Sequence, residues 1–415
     1  MNTITLLFLI ALIISSSVQF WLAKRQGDYV ADHRAAVPDA FKTKVPLAAH
    51  QKAADYSQAK LKLSNCDGII GIIALLLLTL GGVINAVFEY WTALATSPLI
   101  AGVAATATVF LIMTLVELPT GIYQTFVIEE KFGFNKSTVK QFIKDHLLQL
   151  ALGAAIGLPI LALILWVMDN VGSLWWLWAW GIIMGFSLLM SWLYPTVIAP
   201  LFNKFTPMED GSLKERIQGL LVRCGFNSQG IFIMDGSKRS GHGNAYFTGL
   251  GNNKRIVFFD NLVASLDDEE LEAVLAHELG HFKCKHVVKM LIATAVMSLI
   301  SLAVLGWLID QDWFYTGLGV AIEQKSHAVA LLLFMLVSST FTFFMQPISA
   351  YFQRRFEFEA DDFAANNAKA DKMISGLVKL YEENANTLTP DPLYSAFHYS
   401  HPPAAIRIAH LAAKA

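Results

Sequence analysis

Charge is scarce in this chain. Asp, Glu, Lys and Arg make up 15% of its 415 residues, whereas hydrophobic residues make up 55%. That balance is too apolar for an ordinary soluble protein and points to a chain threaded repeatedly through a bilayer. Cysteine is scarce too: Cys66, Cys224 and Cys284 are odd in number, far apart and without a C-x-x-C pair. Neither a disulfide framework nor a cysteine-ligated zinc site follows from them, and all three read as free thiols. A net charge of −2 offers no basic footprint, which argues against nucleic acid as a partner. Internal repeats and low-complexity tracts are also missing.

What the sequence has instead is long apolar stretches. Residues 4–22 follow no basic segment and precede no A-x-A site, so they read as a spanning helix rather than a signal peptide. Residues 69–88, 99–118, 148–168, 174–194, 287–309 and 328–349 are each long enough to span, which makes seven. The expected architecture is an all-α polytopic membrane protein. Lys and Arg cluster in alternate loops, with eight in 23–67, none in 89–98, four in 119–147 and ten in 195–286. The positive-inside rule then puts the amino terminus outside and the carboxyl terminus in the cytoplasm. The chain divides into spans one to five (1–194), a cytoplasmic segment (195–286), spans six and seven (287–349) and a C-terminal cytoplasmic segment (350–415).

The segment 195–286 has structure of its own. Ser212 to Cys224 reads as a helix, and Ile231–Asp235 and Arg255–Asp260 read as short strands. Gly241 to Phe247 reads as a third strand entered through glycines. It suits either a plain hairpin or the edge to which a peptide adds as a further strand.

The most informative residues are Ala276-His277-Glu278-Leu279-Gly280-His281. Two histidines four apart on a helix share a face, so both rings can reach one Zn2+, and Glu278 can hold and deprotonate the attacking water. Accidental spacing on an amphipathic helix is the alternative, and context decides. Asp267 and Glu270 are spaced like a capping box, and Leu271, Val274, Leu275 and Leu279 form an apolar stripe that packs the helix. A catalytic zinc needs one more protein ligand. Glu357 and Asp361 are four apart, so Glu357 can bind metal while Asp361 accepts the free N–H of a ligand histidine. Glu359 is the rival ligand, on the opposite side of that helix. His286 falls on another side of the metal helix, which suits a structural role. His401, ahead of Pro402 and Pro403, reads either as a turn residue or as a donor to an oxyanion.

Taken together, Ser237–Tyr246, Ala276–His281, Phe356–Phe363 and His398–Pro403 resemble the type I CAAX prenyl endopeptidases, intramembrane zinc proteases. Phe126–Asn135 is similar to a loop of the same family, and the likeness runs from about the second span to residue 403. It implies seven membrane helices enclosing a water-filled chamber, capped by a cytoplasmic zincin-like domain with a short β-sheet. By motif position it implies His277, His281 and Glu357 as zinc ligands, Glu278 as general base and Asp361 as partner of a ligand. Asn244 and His401 are implied as contacts to substrate and transition state. Arg407 matches a family arginine that follows a glutamate, but Ile406 precedes it here, which puts an acid–arginine pairing at that place in doubt.

The family removes the last three residues of a prenylated C-a-a-X protein at the cytoplasmic face, so the expected partners are a peptide or protein substrate, prenylated or not, and the lipid bilayer. Three other functions compete. They are a broader quality-control protease for membrane proteins, a transporter or channel suggested by seven spans and Glu117, and a zinc scaffold without turnover. Glu278 beside the histidines argues against the scaffold.

Overall fold

The computed structural model describes residues 2–226, 228, 230–248 and 255–414. The first half is helical: α1 (Thr3–Asp32), α2 (Leu47–Leu78), α3 (Val83–Leu94), α4 (Pro98–Tyr123), α5 (Glu130–Phe132), α6 (Val139–Asn170), α7 (Trp175–Leu193) and α8 (Ala199–Phe202). A compact segment follows, made of β1 (Phe205–Pro207), α9 (Ser212–Arg223), β2 (Gly230–Met234), β3 (Ala245–Thr248), β4 (Arg255–Phe259), α10 (Asp260–Ser265) and α11 (Asp268–Lys283). The remainder is α12 (His286–Leu308), α13 (Asp312–Gly317), α14 (His327–Thr342), α15 (Gln346–Asn367), α16 (Ala370–Glu383), α17 (Pro392–His398) and α18 (Ala404–Ala412).

Among the described residues, seven helical rods are long and apolar enough to cross a membrane. They overlap the seven expected stretches, with one correction. The second span is not 69–88: its rod is α2, which ends at Leu78, and residues 83–88 belong to the separate helix α3. Gly82 takes φ 78° between them, a left-handed turn that glycine adopts without steric cost. Apolar composition runs across this turn unchanged, so hydropathy alone could not mark it. The seventh rod is continuous from His327 to Asn367, a 3-10 turn at Phe343–Met345 joining α14 to α15.

Burial along the spans is uneven. Phe8 and Leu12 of α1, Leu78 of α2, Leu165 of α6 and Leu305 of α12 join the wholly buried Val329, Leu332 and Leu333 of α14 in one apolar core. Through their middles, five spans have no fully buried residue: none of 57–77, 110–127, 140–163, 180–194 or 287–301 is buried. A close-packed bundle hides a stripe of every helix. Ile72, Met113, Leu161 and Ile183, in four of these stretches, pack half-buried against the core, and the remaining side chains of all five are exposed or half-exposed.

The four-stranded sheet runs β1-β2-β4-β3, with β2 and β4 parallel and both outer strands antiparallel to their neighbours. β3 is an edge strand, its Tyr246 opposite Val257 of β4. The capping box forms as spaced: Asp267 accepts from the Glu269 and Glu270 N–H groups at 2.9 Å, and Glu270 accepts from the Asp267 N–H at 2.9 Å. Leu271, Val274, Leu275 and Leu279 are buried with Ile217 and Leu220 of α9 and Met373 and Leu377 of α16. Each such side chain contributes about 1.5–3 kcal/mol by leaving water. Burial alone would raise the Glu270 carboxyl, but Lys379 at 2.6 Å, Ser375 at 2.7 Å and the cap N–H hold it below its usual value.

Candidate metal centre

Helices α11 and α15 cross so closely that a Cβ on Gly280 would lie 2.8 Å from Ala360 Cα and 3.0 Å from its carbonyl oxygen. That approach sets the α15 face carrying Glu357 and Asp361 against the α11 face carrying His277 and His281. His277 Nε2 lies 3.2 Å from His281 Nε2, and the Glu357 carboxylate lies 3.5 Å from the first and 3.2 Å from the second. These three side chains form a group able to hold a metal ion. The opposite ring nitrogen of His277, Nδ1, lies 2.9 Å from Asp361 Oδ1.

One observation tests whether a cation fits. Glu357 Oε2 is buried without a hydrogen bond, although Arg407 Nη1 stands 3.2 Å away as an ion pair. Glu278, Glu357 and Asp361 bring three carboxylates to one guanidinium, an excess of negative charge that a divalent cation neutralises. The same carboxylates act on the His277 ring. Burial pulls its pKa down, but Asp361 and Glu357 overcome this and hold it up to about 9. The donor set of two imidazoles and a carboxylate with room for water is that of a catalytic rather than a structural site.

Around this cluster lies a cavity of about 430 Å3, lined among others by Asn244, His277, Glu278, Tyr381, His401 and Arg407. Burial pushes the Glu278 carboxyl up, against the opposing pull of His277 and His281. His401 Nε2 is 3.5 Å from Glu357 Oε1, and its Nδ1 is 2.9 Å from Ser400 Oγ. Arg354 of α15 donates to the Tyr399 carbonyl at 2.7 Å and the Ser395 carbonyl at 3.2 Å, which ties this loop to the helix that carries Glu357.

Asn244 precedes β3, and its carbonyl accepts from the Phe259 N–H at 2.9 Å. The stretch before it is pinned by the segment singled out at Phe126–Asn135. The Gly241 N–H donates to the Phe134 carbonyl at 2.9 Å, and the Phe134 ring stacks on His242 at 4.3 Å. Asn384 of the loop after α16 adds a bond from the Gly243 N–H at 3.1 Å. Three distant pieces of chain thus converge to place one asparagine at the cavity.

Two features differ from the sequence reading. The doubt over Arg407 is resolved by a different acid: its Nε donates to Asp361 Oδ2 at 2.9 Å, and the group is 4% exposed. The partner lies on another helix, so the residue preceding Arg407 carries no signal for it. His286 does not rotate away from the cluster. α11 ends at Lys283, and the chain turns at Lys285 (φ 57°), which returns the His286 ring to 3.0 Å from His281 Nδ1. Helical phase counted through residue 286 fails because the helix is interrupted. Glu359 does point away from the metal cluster, as expected, and meets His286 Nε2 at 3.0 Å.

Comparison with known proteins follows the same division of the chain. A family model described as the CAAX prenyl protease N-terminal, five membrane helices, matches residues 26–204, and the model of peptidase family M48 matches 207–415. A CAAX prenyl protease 1 homolog of Dictyostelium discoideum is 36% identical over 394 residues, spanning 92% of this chain and 91% of that one. CAAX prenyl protease 1 of Saccharomyces cerevisiae is 39% identical over 314 residues, 72% of this chain and 69% of that one. The crystal structure of S. mikatae Ste24p is similar with a TM-score of 0.92 at 33% identity, over 99% of each chain. With both halves matched in order and the whole fold shared, this chain belongs to peptidase family M48, as a multi-pass membrane metalloendopeptidase.

Proposed function

We propose that the chain is a zinc endopeptidase that cleaves near the carboxyl end of C-a-a-X substrates, prenylated ones included, with His277, His281 and Glu357 holding the ion. The observation that carries this is the buried, unbonded Glu357 oxygen beside two convergent imidazole nitrogens. The names of the relatives supply the substrate class. Zinc suits the donor set, and when bound it lowers the pKa of its water and polarises the scissile carbonyl.

The chain's own residues do the rest. Asp361 accepts the His277 Nδ1–H, which leaves Nε2 free for the ion, and Arg407 holds Asp361 in place. Glu278 takes the proton of the attacking water and returns it to the leaving amine; its raised pKa makes it the stronger base for the first transfer. His401, with Ser400 donating to Nδ1, presents an Nε2–H to the oxyanion, and the Asn244 amide orients the peptide beside edge strand β3. The exposed apolar side chains along the spans offer a surface for a lipidated tail, and the positive-inside rule applied to the basic loops supports a site on the cytoplasmic side.

The experiment compares cleavage of a farnesylated C-a-a-X peptide and its unprenylated twin by the full-length protein in detergent, with Glu278→Ala as control. Cleavage of the farnesylated peptide, lost in Glu278→Ala while metal content is retained, is the expected result. Equal cleavage of both peptides makes the enzyme a broader membrane-protein protease. Activity surviving in Glu278→Ala removes the assigned base.

A further inference from the structure

The turn between α11 and α12 carries Cys284, Lys285 and His286. Its left-handed residue, Lys285, is uncommon for a side chain with a Cβ. The turn brings Cys284 and His286 to the side where α15 presents Glu359. A thiol sulfur, a ring nitrogen and a carboxylate oxygen from these three residues all lie within 4.8 Å of one another. Thiolate, imidazole and carboxylate together suit a borderline-soft divalent ion, with water in a fourth position. The ring is preset: His286 is 2% exposed and stacks on Phe356 at 4.3 Å. The cation now nearest is Lys289 Nζ, 3.3 Å from Glu359, on a half-exposed side chain that can swing into solvent.

We propose that Cys284, His286 and Glu359 form a second divalent-cation site, and that filling it opposes the metal on His277, His281 and Glu357. The opposition follows from where protons must sit. His281 turns Nε2 toward His277 and Glu357, so a metal there leaves the proton on Nδ1. That N–H donates to His286 Nδ1 at 3.0 Å, and His286 in turn donates its Nε2–H to Glu359 at 3.0 Å. An ion bound at His286 Nε2 drives the remaining ring proton to Nδ1. Two N–H groups then face each other, and the bond that orients His281 is lost. Binding also deprotonates the Cys284 thiol, the proton leaving to solvent. This coupling rests on the proposed catalytic assignment; the ion-binding claim does not.

The test uses full-length protein in detergent with Cys66→Ser and Cys224→Ser, so that Cys284 is the remaining thiol. Co2+ added beyond the first equivalent is expected to produce a thiolate charge-transfer band that Cys284→Ser abolishes. Equilibrium dialysis against Zn2+ is expected to find a second ion per chain, lost in Cys284→Ser. A band that persists without Cys284, or equal metal content in both proteins, overturns the site. Excess Zn2+ is expected to slow peptide cleavage, with the half-inhibiting concentration raised about 10- to 100-fold in Cys284→Ser. Equal inhibition overturns the coupling. If neither protein cleaves at any zinc level, the catalytic assignment fails, and dialysis and cobalt still decide the site.

Discussion

Asp361 shows what one carboxylate does in a dry setting. It is fully buried, accepts from Arg407 and faces His277 Nδ1 at 2.9 Å, so it fixes both a tautomer and a guanidinium. Asp361→Asn keeps the shape and removes the charge, leaving His277 less strongly held and Arg407 without its closest counter-charge. Metal affinity is expected to fall about 10- to 100-fold with the fold intact, as read by competition with a chelating dye and by circular dichroism. Unchanged affinity would show that His277 is oriented by something else. The sequence shows Asp361 through its spacing from Glu357. It does not show that Arg407 pairs with Asp361, because a contact between α15 and α18 leaves no periodic mark in either helix.

For the elements, the decisive contact is the crossing of α11 and α15. Its intimacy depends on Gly280 inside the metal motif, where a Cβ would meet backbone of Ala360 rather than a movable side chain. Gly280→Ala is expected to push the helices apart and cost about 1–3 kcal/mol by overpacking. Glu357 sits one turn from Ala360, so the same shift is expected to lower the cleavage rate about 100-fold, the penalty for an ångström of misplacement. Thermal melts and single-turnover cleavage measure the two effects. Wild-type activity in the variant would mean the crossing has slack. The H-E-x-x-H spacing displays the histidines, but the need for glycine between them is legible only once the second helix is in place. The same holds for His286, whose return depends on one left-handed residue that no hydrophobic pattern announces.

Across the whole molecule the two halves matched by separate family models are not separable bodies. Wholly buried residues of α14 share a core with α1, α4 and α6, and Asp391 ahead of α17 is held by Arg25 at 2.8 Å and by Gln26, which accepts its N–H at 2.7 Å. Arg239 reaches Asp145 of α6 at 2.7 Å. Residues 207–415 expressed alone are therefore expected to aggregate and cleave nothing, whereas co-expression with 1–204 restores detergent-extractable activity. Size-exclusion chromatography and peptide cleavage give the readout. A monodisperse, active 207–415 fragment would contradict this.

Composition and local pattern by themselves determined the membrane character, the approximate spans, the capped metal helix and the acidic pair four residues apart. All of these follow from solvent transfer, helical periodicity or capping, which act within about twenty residues. Tertiary structure decided the rest: that α2 stops at Leu78, that Arg407 closes on Asp361, that His286 folds back to His281, and that five spans leave their middle residues unburied. Those outcomes depend on which surfaces meet, and that is set by packing between segments far apart in the chain.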